Sequence, residues 1–237
     1  MDPLVLLPDL DRATSRLLEA VRGLSDAEVL APSLLPNWSR GHVIAHLARN
    51  ADGLGNLLTW AHTGVKTPMY ASPQARDADI DAGAARAASE QVADFERTAD
   101  QLARQAADMP AEAWGAQVEL RGGAEVPAAT LMWARLREVE IHHVDLDLGY
   151  RHLDWPDDFA HRLLHDLATD FGNRDNGPRA VLRVPNAGHD LDVGADREAP
   201  VITGSAQAVA GWLTGRHDGA GLAIEPGAAL PIIPAWR

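Results

Sequence analysis

Glu138 and His142, in the stretch Arg137-Glu-Val-Glu-Ile-His-His-Val-Asp145, constrain this chain more than any other pair of residues. Residues four apart on a helix are neighbours on one face, so a carboxylate and an imidazole project side by side there. The flanks predict that helix: Leu131, Ala134, Glu138, Ile141, His142 and Asp145 share one stripe, and Gly149 is placed to stop it. The stripe faces inward, among apolar residues. An unpaired ionised carboxylate in such a place would cost several kcal/mol or be forced to protonate, so something must neutralise Glu138. One answer is an ion pair with Arg135, Arg137 or His142 itself. The other is a divalent cation shared by Glu138 and His142, which needs a third ligand from elsewhere. Asp145 and Asp147 also carry ligand oxygens, but Asp145, one turn beyond His142, is better placed to orient an imidazole.

The third ligand has a candidate on an earlier helix. Ser39 is a good N-cap for a helix running to about His62 and closed by Gly64. Its inner stripe is Val43, His46, Leu47, Asn50, Leu54, Leu57, Leu58 and Ala61, which puts His46 on the core face. A lone histidine there is also compatible with an ordinary core position. His42, one turn earlier, would allow a two-histidine site within the same helix, although its place in the first turn predicts more exposure. His161 and His165 have metal-ligand spacing too, but no acid of matching geometry lies nearby, and they read as surface histidines.

A chain of 237 residues is comfortable for two domains with real cores. Its formal net charge of −13 opposes general binding to nucleic acid or anionic membrane, so an anionic substrate must meet a local positive site. There is no cysteine, hence no disulfide, thiolate ligand or cysteine nucleophile; thiol chemistry must use a thiol from outside. No stretch reaches the roughly 18 uninterrupted apolar residues of a membrane helix. Met1-Asp2-Pro3-Leu4 lacks the basic start of a signal peptide, and a cytoplasmic protein is expected.

In chain order, Leu10–Leu24 predicts an amphipathic helix with Leu10, Ala13, Leu17, Leu18 and Val21 on one stripe, and Ser25-Asp-Ala-Glu28 has the form of a capping box. Pro32 and Pro36 make residues 31–37 a loop ahead of Trp38, and 66–73 is a second loop whose Ser72-Pro73 suits a helix start. Helical pattern covers about 74–80 and 84–109, with Val92, Phe95, Ala99, Leu102 and Ala106 inward. Residues 116–126, around Arg121-Gly-Gly123, suggest a hairpin, and Pro127 opens the helix that carries Glu138. Four long helices with inward polar residues on two of them are a natural place for a metal site in a bundle core. After Gly149 the pattern changes: a helix from about Trp155 to Phe171, short strand-like runs at 180–184, 191–193 and 200–203, a helix capped by Ser205, and a last strand at 222–224. The expected division is a metal-binding four-helix bundle over 1–150 and a smaller α/β domain over 151–237.

The chain resembles the mycothiol-dependent maleylpyruvate isomerases of the DinB-like metal-binding superfamily. The likeness lies in Trp38-Ser-Arg-Gly-His-Val-Ile-Ala-His46, the loop Thr67-Pro-Met-Tyr-Ala-Ser-Pro73 with Ala75-Arg76, Arg137-Glu-Val-Glu-Ile-His142 with Val144-Asp145-Leu146, and Gly215-Arg216. The bundle motifs indicate the superfamily; the Pro-Met-Tyr loop and the C-terminal match narrow it. The resemblance implies a DinB-like four-helix bundle followed by a sterol-carrier-like α/β domain. It implies zinc, or another divalent metal, bound by His46, Glu138 and His142, with mycothiol as thiol cofactor and Arg216 needed for activity. It implies conversion of maleylpyruvate to fumarylpyruvate in aromatic catabolism by the gentisate route, through thiol addition, bond rotation and elimination. A mycothiol S-transferase of the same superfamily and a non-catalytic zinc- or ligand-binding protein are the alternatives, while the residues that hold mycothiol and the part played by His143 stay open.

Overall fold

Local capping chemistry starts the helices of the first half. In the computed structural model, which describes residues 3–185, 187–194, 199–225 and 229–236, Ser25 and Ser39 each accept the backbone N–H three residues on. Met1 and Asp2, part of the N-terminal stretch considered above, lie outside the described residues. The chain divides into two compact units, Met1–Leu148 and Gly149–Arg237.

In the first unit, α1 (Leu7–Val21) and the short α2 (Asp26–Leu30) precede α3 (Arg40–Thr63), the longest helix, which ends on Gly64 at φ 71°. Helix α4 (Pro73–Ala84) follows Ser72 as its cap; α5 (Ala88–Ala107), the hairpin β1 (Gln117–Glu119) and β2 (Glu125–Pro127), and α6 (Leu131–Asp145) complete the unit. Helix α3 is central and packs on α4, α5 and α6, while α1 lies against α6. The α3–α4 contact is close because both sides are small: a Cβ on Gly83 would stand 2.8 Å from the Ala45 methyl. The 66–72 loop is drawn onto α3 the same way, at Gly53, where a Cβ would meet the Met69 side chain at 2.9 Å and the Tyr70 ring at 3.1 Å. Arg49 of α3 and Arg97 both bond to Asp94 of α5, at 2.7 and 2.6 Å.

Three expectations shift. The helical run predicted from residue 84 onward begins at Ala88, and on α5 the buried places go to Gln91 and Thr98 as well as Phe95, Leu102 and Ala106, while Val92 and Ala99 are half-buried. Polar side chains can sit inward there because they are bonded: Gln91 donates to the Ala84 and Arg86 carbonyls that close α4, and the Thr98 hydroxyl to its own helix. Helix α6 stops at Asp145, before Gly149, with Asp147 itself in the left-handed region at φ 54°. Arg40, in the first turn of α3, donates to the Leu146 and Asp147 carbonyls at 2.8 and 3.1 Å. The end of α6 is thereby pinned to the start of α3.

The second unit holds α7 (Asp157–Gly172) and α8 (Ala206–Leu213), with a four-stranded sheet of β3 (Ala180–Arg183), β4 (Leu191–Val193), β5 (Val201–Thr203) and β6 (Ala223–Glu225). The sheet order is β4-β3-β5-β6: β3 runs parallel to β5, and the outer pairings are antiparallel. Leu182, Val193 and Ile202 on the sheet and Leu163, Leu167, Val209 and Leu213 on the helices form its core. Among the described residues no helix is long and apolar enough to cross a membrane.

Candidate metal centre

Helices α3 and α6 bring His46, Glu138 and His142 together. One ligand atom from each lies within 4.8 Å of the others, and this is the one such grouping of three among the described residues. His46 Nε2 is 2.9 Å from Glu138 Oε2 and 3.1 Å from His142 Nε2, and His142 Nε2 is 3.3 Å from the same carboxylate oxygen. The side chains of His46 and His142 are 8 % and 15 % exposed, whereas Glu138 is 34 % exposed. Helix α6 is buried around most of its circumference, and Ala134, Glu138 and His142 form its half-open line. The carboxylate is therefore partly open to solvent while the two imidazoles are nearly covered.

Arg135, close by in sequence, feels the charge of Glu138 but spends its hydrogen bonds elsewhere. Arg135 is 1 % exposed and committed to α3, its Nη1 donating to the Leu47 carbonyl at 2.7 Å and to Asn50 Oδ1 at 2.8 Å, with its guanidinium over the Phe95 ring. Arg137 lies over Trp133. Glu138 instead accepts from both imidazoles. Burial alone would raise its pKa, but the bonds from His142 and His46 outweigh burial and hold the carboxyl well below its ordinary value. On His142 burial opposes charge, yet the carboxylates of Asp145 and Glu138 prevail and push its pKa up to about 9. On His46 burial wins and lowers the pKa to about 4. Without a metal the cluster thus holds an ionised Glu138, a charged His142 and a neutral His46.

The surroundings orient each ring. Asp145 Oδ2 accepts from His142 Nδ1 at 2.8 Å, which leaves Nε2 as the atom aimed at the cluster. Trp38 packs on His46 with ring centroids 5.5 Å apart. Arg76, on α4, donates from Nη2 to His46 Nδ1 at 3.2 Å, and Tyr70 lies beside Arg76. Burial raises the Tyr70 phenol above its ordinary value; the charge of Arg76 opposes the rise and that of Glu138 adds to it. Arg76 and Tyr70 belong to the 67–76 stretch quoted above, but no sequence spacing links them to His46. Their placement is a product of α3–α4 packing.

The other candidates fall elsewhere. His42 is committed to the α3 cap, its Nδ1 2.7 Å from Ser39 Oγ, and lies outside the grouping. His143 is buried beside His142. His161 Nδ1 is 2.9 Å from the Asp157 carbonyl and His165 packs on His189 in the second unit. Arg216 lies in the second unit too, in a turn between Gly215 and Gly219, with its backbone N–H on the Gly211 carbonyl at 2.8 Å and Nη1 on the Thr214 carbonyl at 2.6 Å.

Comparison with known proteins matches this geometry to a family. A family profile described as the mycothiol maleylpyruvate isomerase N-terminal domain covers residues 10–147. The chain is similar to a crystal structure of the mycothiol-dependent maleylpyruvate isomerase, with TM-score 0.91 and 29 % identity over 100 % of this chain and 98 % of that one. The structure of a histidine-to-alanine mutant of that enzyme matches with the same figures. No protein of curated function matches. With the match spanning α1 to the end of α6, the helices that carry His46, Glu138 and His142, the chain belongs to the mycothiol maleylpyruvate isomerase family.

Proposed function

We propose that this chain isomerises maleylpyruvate to fumarylpyruvate with mycothiol, at a zinc ion held by His46, Glu138 and His142. The observation that carries the reading is the convergence of these three side chains in a chain that resembles, along its whole length, a solved enzyme of that name. Two imidazoles and a carboxylate are a donor set that suits zinc and leaves a coordination position open. The site fits such an ion: Nε2 of both histidines faces Glu138, and Asp145 already holds the far nitrogen of His142. When bound, the metal supplies a Lewis acid, and mycothiol supplies the external thiol whose reversible addition across the conjugated double bond permits rotation without net change in atoms or electrons.

The chain's own residues do the rest. His46, Glu138 and His142 would hold the ion, and Trp38 packs on the His46 ring. Arg216 would bind a substrate carboxylate, where a planar guanidinium suits bidentate recognition and offsets the acidic chain. The test is conversion by metal-analysed protein with and without mycothiol, beside His46→Ala. Conversion that needs both the thiol and the metal site supports the reading. No conversion by protein holding one equivalent of zinc would overturn it.

A further inference from the structure

We propose that Arg76 is the bundle's own anion-binding residue at the metal centre, turned to a substrate carboxylate when a metal is in place. This rests on the isomerase reading above and adds a residue that neither the ligand set nor Arg216 supplies.

Three observations carry it. Arg76 contacts the three-residue cluster directly, with Nη2 3.2 Å from His46 Nδ1. Its side chain is only 11 % exposed, and its carboxylate partner, Asp77 at 2.7 Å, lies out in solvent. A well-buried cation with an exposed counter-charge remains able to attract a further anion. Finally, the hydrogen bond to His46 is incompatible with a metal on that ring. A guanidinium only donates, so Nδ1 must accept and Nε2 must carry the ring proton. A metal taking Nε2 leaves that proton on Nδ1, where two donors would face each other, and the Arg76 N–H then needs a new acceptor.

Charge supplies that acceptor. With a divalent ion in place, the ion and Arg76 together exceed Glu138 and Asp145 by one positive charge, and Asp77, the other carboxylate on Arg76, lies out in solvent where its charge is screened. A carboxylate oxygen near the open position satisfies both the charge and the released donor, and the planar fork of Arg76 suits it. The Tyr70 ring, 5.8 Å from the Arg76 guanidinium carbon, limits where that fork can turn.

The experiment measures binding without turnover. Arg76→Met keeps length and packing against Tyr70 but removes charge and donors; Arg76→Lys keeps charge and a donor but loses the planar fork. Zinc affinity is read by competition with a chromophoric chelator. Affinity of the zinc-loaded protein for succinate, a saturated dicarboxylate that cannot isomerise, is read by calorimetry. The expected result is that Arg76→Met binds zinc several-fold more tightly, having lost a neighbouring cation and a competing bond, and binds succinate at least tenfold more weakly, with Arg76→Lys between. Unchanged succinate affinity, or zinc affinity that stays level or falls, overturns the proposal. Either outcome in a parent chain that still isomerises maleylpyruvate leaves the isomerase reading standing, whereas a parent that takes up no zinc sinks both.

Discussion

Three ionisable residues and one helper define the chemistry available at the centre. His142 stays protonated to about pH 9 because Asp145 and Glu138 outweigh its burial, while Glu138 is already ionised and His46, at about 4, already neutral at pH 7. A metal ligand must give up its proton, so His142 alone has one to lose. Metal uptake at pH 7 is therefore expected to release about one proton, and apparent affinity to rise about tenfold per pH unit until pH approaches about 9. Calorimetry in two buffers of different ionisation enthalpy checks this. The sign for folding stability without metal follows from the same shifts. The raised His142 contributes stability that is lost as pH climbs from 6.5 through about 9, and the lowered His46 takes stability away as pH falls from 6.5 towards about 4. Removing charge beside His142 should separate the two roles of Asp145: Asp145→Asn keeps an acceptor for Nδ1 but is expected to weaken metal binding about 10- to 100-fold and to reduce proton release at pH 8. Unaltered metal affinity in that variant would deny Asp145 its orienting role.

At the scale of elements, the centre depends on how closely helices approach rather than on which residues they expose. Helix α4 delivers Arg76 to His46 because Gly83 lies against Ala45, and the 66–72 loop delivers Tyr70 because Gly53 leaves it room. Gly83→Val inserts a branched side chain where even a Cβ would be 2.8 Å from the Ala45 methyl, so α4 must move. The expected cost is about 1–3 kcal/mol in denaturant unfolding, as for other overpacked interfaces. The same variant is expected to lose the Arg76 effects on zinc and succinate while keeping His46, Glu138 and His142 together on α3 and α6. The seat of α6 on α3 is separate, made by Arg40 on the carbonyls after Asp145, while Arg16 of α1 donates to the buried Glu140 at 2.5 Å and ties α6 to α1.

For the whole molecule, the proposed activity draws on His46, Glu138 and His142 as metal ligands and on Arg216 as the substrate-carboxylate residue. Arg216→Lys is expected to lose most turnover while zinc content stays at one equivalent, because a lysine keeps the charge but not the bidentate fork. Retained turnover would remove Arg216 from the mechanism.

Much of this molecule is local and was open to reading along the chain. Ser25, Ser39, Ser72 and Ser205 each cap a helix through their own backbone neighbours, Gly64 ends α3 by its φ, and a period of four sets Glu138 beside His142 and Asp145 within reach of its ring. These features need only residues within a turn or two of each other, so composition and spacing determine them. The second partner of Glu138, His46, was not of that kind. Arg135 stands close to Glu138 in sequence, yet is drawn to carbonyl and amide oxygens of α3, and beside the local His142 the carboxylate meets a histidine 92 residues away. Likewise Gln91 and Thr98 took places that periodicity assigns to Val92 and Ala99, because bonds to neighbouring carbonyls removed the cost of burying them. Arg76 reaches His46 only through the α3–α4 contact. Sequence by itself determined which side chains share a face; which of them meet across helices was decided by helix-to-helix distance, a quantity set by the summed packing of residues far apart in the chain.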